Sequence, residues 1–181
     1  MVGWENRSEN VPSDGGVWMW GYLGVGGQRN RNLAARVPGL DHVKAVAGGY
    51  AHSLALKDDG TVWAWGWNKD RQLGDGTAED RAQPVKVQGL DNVVAVTAGH
   101  QFSAALRKDA TVWVWGSNAH RQLGTVRGPY YWIRSPMQVE GIPPIVALDA
   151  GFFHIIALDK EGGLWEWGHN WLQPKKIRMD N

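Results

Sequence analysis

The residues able to do chemistry are few, and most of them recur at matching places. His52 and His154 follow Gly49-Tyr50-Ala51 and Gly151-Phe152-Phe153, while Phe102 fills the same place after Gly99-His100-Gln101. A place that accepts both His and Phe reads as packing or turn geometry rather than catalysis. His42, His100, His120 and His169 do not have the spacing of metal ligands. Asp58, Asp59 and Asp75 stand beside Gly in turns, the ordinary place for Asp. With no Cys in 181 residues, a thiolate metal site, a disulfide framework and a Cys nucleophile are excluded. Gly24-Val25-Gly26-Gly27 lacks the Lys-Ser/Thr that completes a phosphate loop. One stretch stands apart. Between Ala110 and Val139 there is no Asp or Glu, yet Arg121, Arg127, Tyr130, Tyr131, Trp132 and Arg134 all fall there. Arg mixed with Tyr and Trp is the composition of protein-interface hot spots. The same mixture can stack single-stranded bases, or the aromatics can simply pack over the neighbouring structure. Lys175-Lys176-Ile177-Arg178 reads as an exposed strand end that discourages edge-to-edge association.

What positions that stretch is a repeat. Trp-x-Trp-Gly occurs at Trp18, Trp63, Trp113 and Trp165, in steps of 45, 50 and 52 residues. The landmark glycines Gly49, Gly99 and Gly151 run in phase with it, as do Gly39, Gly89 and Gly141. From each of the latter to the next Trp-x-Trp is always 24 residues, whereas the remaining stretches are 21, 26 and 28 residues long. Each unit is therefore a fixed block with one adjustable loop. Paired strands cannot gain residues without losing register, and surface loops can. The basic and aromatic stretch fills the longest of these loops.

Within the fixed block the period is two. Val93 to Ala98 is apolar on alternate and intervening positions, as a strand buried on both faces reads. Ser103–Leu106 and Thr111–Trp115 follow, joined by Lys108-Asp109-Ala110. Its sisters are Asp58-Asp59-Gly60 and Glu161-Gly162-Gly163, and Asp-Gly is a hairpin signal because Gly accepts positive φ. Ala110 departs from that pattern, so its turn is of another type or strained. A fourth strand starts at Pro84 or Pro136, a position where strands tolerate Pro. The chain reads as all-β, built of four-stranded antiparallel units of the kind that form β-propeller blades.

The string Trp65-Gly66-Trp67-Asn68, Gln72-Leu73-Gly74-Asp75-Gly76-Thr77, Pro84-x-x-Val87, Ala98-Gly99 closely resembles the regulator of chromosome condensation repeat. Trp115-Gly116-Ser117-Asn118, Gln122-Leu123-Gly124 and Pro136-x-x-Val139 are similar. The resemblance runs from residue 17 to about 178. It implies a propeller, usually of seven blades, whose members act through protein contacts as exchange factors for small GTPases, as adaptors or as inhibitors of β-lactamases.

The expected organisation is an arm at 1–16, propeller repeats at 17–178 and a tail at 179–181. The ring is incomplete, with three full blades plus an end strand at each side. The expected function is a non-enzymatic binding module whose loops hold a protein partner, with no cofactor and no metal. The alternative is a structural subunit of a larger assembly, whose protein or RNA neighbours complete the ring. An open edge also favours self-association or a completing chain. The net charge of +1 gives no general pull toward nucleic acid or an anionic membrane. Neither a signal peptide nor a membrane span is read, which favours the cytoplasm.

Overall fold

The computed structural model describes residues 7–10, 15–21, 31–124, 131–169 and 171–178. All regular structure among them is β. The first sheet joins β1 (Arg7–Asn10), β2 (Trp18–Gly21) and β3 (Arg31–Arg36). The second joins β4 (Val43–Gly48), β5 (His52–Lys57), β6 (Val62–Gly66) and β7 (Arg81–Lys86). The third holds β8 (Val93–Ala98), β9 (Phe102–Arg107), β10 (Val112–Ser117) and β11 (Trp132–Gln138). The fourth holds β12 (Ile145–Ala150), β13 (His154–Asp159), β14 (Leu164–Gly168) and β15 (Trp171–Lys176). Each strand pairs antiparallel with its sequence neighbour, so each sheet is a meander and one propeller blade.

The three full blades are those expected. The ends are apportioned differently. Pro174 lies in β15, the outer strand of the fourth blade, so no separate strand remains there. At the other end three strands form, and β1 falls within the segment expected to be an arm. Ser8 pairs with Trp20 as Ser53 pairs with Trp65, so Arg7–Asn10 repeats the role of β5.

β8 packs against β4 and β5 of the blade before and against β12 of the blade after, and β12 in turn touches β9, which makes the first strand of each blade the innermost. The expectation that Val93–Ala98 is buried on both faces needs correcting, because Val94 is 46% exposed. A β-bulge causes this. Val93 faces Arg107 and Ala95 faces Leu106, leaving Val94 over and turned outward. Lys44 and Val146 sit at the same irregularity. The strand buried on both faces is β9, where Phe102, Ser103, Ala104, Ala105 and Leu106 are all inside.

Ala110 resolves its turn in favour of strain. It has φ 65°, beside 79° at Gly60 and 83° at Gly162. Its N–H donates to Arg107 O at 2.9 Å as Gly60 N–H donates to Lys57 O at 3.0 Å. The turn type is thus kept, at the steric cost of a Cβ in the left-handed region.

Candidate functional site

Successive blades meet through their tryptophans. In the third and fourth blades the second Trp of Trp-x-Trp turns toward the loop of the blade before. Trp115 lies against Gly74, where an added Cβ would stand 2.8 Å from its Nε1, and Trp167 lies against Gly124, at 2.3 Å from its Cδ1. Trp65 Nε1 donates to Met19 Sδ at 3.0 Å. The Gly of Gln-Leu-Gly is therefore required twice over, by a positive φ and by the indole lying on it.

The adjustable loop after β6 is held by Asn68. Its side-chain oxygen accepts Leu73 N–H at 3.0 Å, and its amide donates to Asp75 Oδ1 at 3.0 Å and Glu79 O at 3.1 Å. Arg81 Nε donates to Asp75 Oδ2 at 2.8 Å. Burial pushes the Asp75 carboxyl up, but hydrogen bonds from Thr77, Arg81 and Asn68 outweigh it and hold it below the usual value. Asn118 repeats the bond to Leu123 N–H at 3.1 Å.

These loops share one end of the blades with the turns that carry the landmark glycines. Trp67 N–H donates to Ala51 O, Ser117 N–H to Gln101 O and His169 N–H to Phe153 O, each at 2.8 Å. The turns are also chained to one another, by Tyr50 N–H to Gly99 O at 3.4 Å and His100 N–H to Phe152 O at 3.1 Å. The place shared by His52, Phe102 and His154 explains the glycines: each ring lies on the Gly three residues earlier. His52 and Phe102 are wholly buried.

The residue after each landmark Gly forms a ladder of rings. Tyr50 and His100 have centroids 4.4 Å apart, and His100 and Phe152 4.3 Å apart. Phe153 extends it, 4.9 Å from Phe152 and 4.3 Å from His120. Tyr50, Phe152 and Trp67 are exposed. Burial lowers the pKa of His100 against a hydrogen bond to Gln101 and the nearby Asp70 carboxylate. Burial also raises Asp70, against the pull of His100.

Of the six residues singled out in the sequence, Arg127 and Tyr130 lie outside the described residues. Trp132 and Arg134 come together, with the Arg134 guanidinium 5.5 Å from the Trp132 ring centroid. Tyr131 is 72% exposed. Arg121 stands half-buried in its loop at φ 59°. Sequence reasoning missed Arg71, whose guanidinium lies 4.0 Å from the Trp132 centroid, closer than that of Arg134. The signal was present, since Arg71 and Arg121 precede Gln-Leu-Gly alike. It also missed the Tyr50–His100–Phe152 ladder, which is legible once the three turns are aligned. Among the described residues no group of three or more His, Asp or Glu could hold a metal. No helix among them is long and apolar enough to cross a membrane.

The repeat model for the regulator of chromosome condensation (RCC1) matches residues 59–106 and 109–158, more than half of the chain. A second model of the same repeat matches 43–72 and 93–122. The chain belongs to the RCC1 repeat family. It is 33% identical over 76 residues to the ultraviolet-B receptor UVR8 of Arabidopsis thaliana, covering 38% of this chain and 17% of that protein. It is 39% identical over 77 residues to the human E3 ubiquitin-protein ligase HERC2, covering 38% of this chain and 2% of that one. Among solved structures, yeast RCC1 (Prp20) bound to Kap60 superposes with a TM-score of 0.82 at 22% identity, over 96% of this chain and 47% of that chain. Human WBSCR16 gives 0.82 at 24% identity, over 95% of this chain and 50% of that chain. The RCC1-type propeller fold is thereby shown, and this chain spans about half the length of those structures.

Proposed function

We propose that the loop-bearing end of the blades is a docking face for a protein partner and that the chain works by binding rather than by catalysis. The observation that carries this is the Arg71–Trp132–Arg134 cluster beside the exposed Tyr131. Trp and Arg dominate interface hot spots, and a ring gripped by two guanidinium groups is held rigid before any partner arrives. The ring ladder at the same end adds apolar surface with little side-chain freedom to lose. The family supports the reading, since yeast Prp20 was solved bound to Kap60 and is described as binding Gsp1p and histones.

The test is a photo-cross-linking amino acid placed at Tyr131 and, separately, at Asp58 on the opposite end. The reading expects one discrete protein to be captured from position 131 and not from 58. Trp132→Ala should weaken that complex by about 2 kcal/mol, roughly thirtyfold. Equal capture from both ends would overturn it. A second reading is favoured by the first sheet, which has three strands among the described residues where the others have four. A neighbouring chain would then complete that sheet. Light scattering across a concentration series tests it: a stable mass near twice 20.0 kDa is the result expected of a self-completed pair.

A further inference from the structure

The Trp132 ring is shared by two cations that no described carboxylate neutralises. The Arg71 guanidinium lies 4.0 Å from its centroid and that of Arg134 5.5 Å. Other arginines on the surface are paired. Arg81 meets Asp75 at 2.8 Å and Glu79 at 3.5 Å, and Arg107 meets Asp91 at 2.9 Å and Asp109 at 3.4 Å. Among the described residues neither Arg71 nor Arg134 has a salt bridge or a side-chain hydrogen bond. The carboxylate of Asp70, next to Arg71 in sequence, acts on His100 instead. Both cations can be reached from solvent. Arg134 is exposed, and Arg71 is half-buried with only its Nε sealed off, which leaves the Nη end of its fork open.

The sister loop shows what the longer loop lacks. After β6 the chain supplies its own acids: Asp75 and Glu79 take up Arg81, and Asp80 Oδ1 accepts Asn68 N–H at 2.8 Å. After β10, Thr125 stands where Asp75 does, and no Asp or Glu occurs between Ala110 and Val139. The longer loop thus keeps arginines and gives up the carboxylates that would neutralise them. The two centroid distances put a pair of positive charges within about 10 Å of each other, on a chain whose net charge is only +1. Like charges held together repel, and an incoming anion relieves that repulsion.

Resting on the reading of this end as a protein-docking face, we infer that the partner docks through an acidic segment, whose Asp or Glu carboxylate is taken by Arg71 and Arg134 beside the Trp132 ring. A guanidinium presents a planar fork that matches a carboxylate, and hydrogen bonds to an ionised acceptor are the strong kind. The cation–π contacts with Trp132 hold both forks in place before the acid arrives. A nucleic-acid strand fits less well. Its phosphates need a continuous basic track, and the adjoining loop carries Asp75, Glu79 and Asp80.

The experiment is an NMR titration of the isotope-labelled chain with acetylated hexaglutamate, beside hexaglutamine and the single strand dodecathymidylate. Hexaglutamate is expected to give saturable shifts at the Trp132 indole that weaken as salt is raised, and hexaglutamine to bind at least about tenfold more weakly. Arg71→Gln and Arg134→Gln should each weaken hexaglutamate about tenfold, and Arg134→Glu should abolish its binding. Arg134 is exposed, so its variants require no repacking of the fold. Lys108→Gln, which removes the same charge at the opposite end, should leave the affinity unchanged. Equal binding of hexaglutamate and hexaglutamine, an equal loss in Lys108→Gln, or tighter binding of dodecathymidylate overturns the inference. If hexaglutamate fails while cross-linking from position 131 persists, the acidic segment falls and the docking face stands. If hexaglutamate binds while positions 131 and 58 capture equally, the docking reading falls and with it the assignment of the carboxylate to a partner.

Discussion

Around the wedging tryptophan, the joint between the second and third blades is polar and the one between the third and fourth is apolar, although both are built from the same repeat. In the first, His52 Nε2 lies 2.9 Å from Ser103 Oγ, which donates to Gln72 O at 2.8 Å, while Trp115 Nε1 donates to the same carbonyl at 2.9 Å. In the second, Phe102 replaces the His, Ile155 replaces the Ser, and Trp167 Nε1 has no hydrogen-bond partner among the described residues. What the two keep in common is the wedge of Trp on Gly and the backbone bonds that chain neighbouring turns. Shape fixes the angle between blades, and the polar relay is an optional addition to it.

The wedge is where the largest effects are expected. Gly124→Ala places a Cβ 2.3 Å from Trp167 at a residue whose φ is 60°, and Gly74→Ala places one 2.8 Å from Trp115 at φ 65°. Each should cost about 3 kcal/mol or more in denaturant unfolding, with Gly124→Ala the worse of the pair. A neutral result at either glycine would break the claim that the shared wedge sets the joint. The relay comes next. Ser103→Ala strands His52 Nε2 in a dry joint and should cost about 1–3 kcal/mol. Adding His52→Phe, the residue present at the next joint, should recover at least half of that loss. A double-mutant cycle with no coupling would show that the relay contributes nothing of its own.

The opposite end sharpens the same contrast between blades. Asp59 and Asp109 each accept from a Thr hydroxyl at 2.6 Å, and Trp63 and Trp113 donate to those Thr. The fourth blade dispenses with the Thr: Asp159 accepts directly from Trp165 Nε1 at 3.0 Å and from Gly163 N–H at 2.7 Å. The indole of Trp165 and the Gly163 N–H hold the Asp159 carboxyl below its ordinary value, and the Thr hydroxyls do so for Asp59 and Asp109. A depressed native pKa gives stability that is present above the unfolded value, about 4, and lost as pH falls through the native one. The thermal midpoint should therefore hold from pH 7 to pH 5 and drop below about pH 4. Asp159→Asn should lower the midpoint at pH 7 and converge on the parent at the acid end. The smallest effect is expected at Ala110→Gly, which relieves the left-handed Cβ but loosens the unfolded chain, for a net gain of about 0.5 kcal/mol.

The strands of the three full blades, their turns and the loop that varies were legible because they rest on short-range patterns repeated three times, whereas β1, which has no such repeated signature, was not. The bulge at Val94 was not, since an extra residue on one strand looks like ordinary apolar alternation until its partner strand is known. Half of the Trp132 site was legible for a related reason. Trp132 and Arg134 are neighbours in sequence, while Arg71 reaches the ring from the preceding blade, and no single-chain spacing encodes which loop faces which. The joints were legible only as wedges, because the His52–Ser103 pair spans one repeat and is diluted by Phe102 in the next.

The seating of each tryptophan on the glycine of the preceding blade also sets an order in time. A loop at this end of the blades is finished only when the following blade has folded onto it, since Gly74 waits for Trp115 and Gly124 for Trp167. Blades of about 50 residues leaving the ribosome at 5–20 residues per second would separate a loop from its completion by roughly 3–10 s. This end of the blades therefore matures one blade behind the chain, and a nascent blade has no finished loop before its successor has arrived.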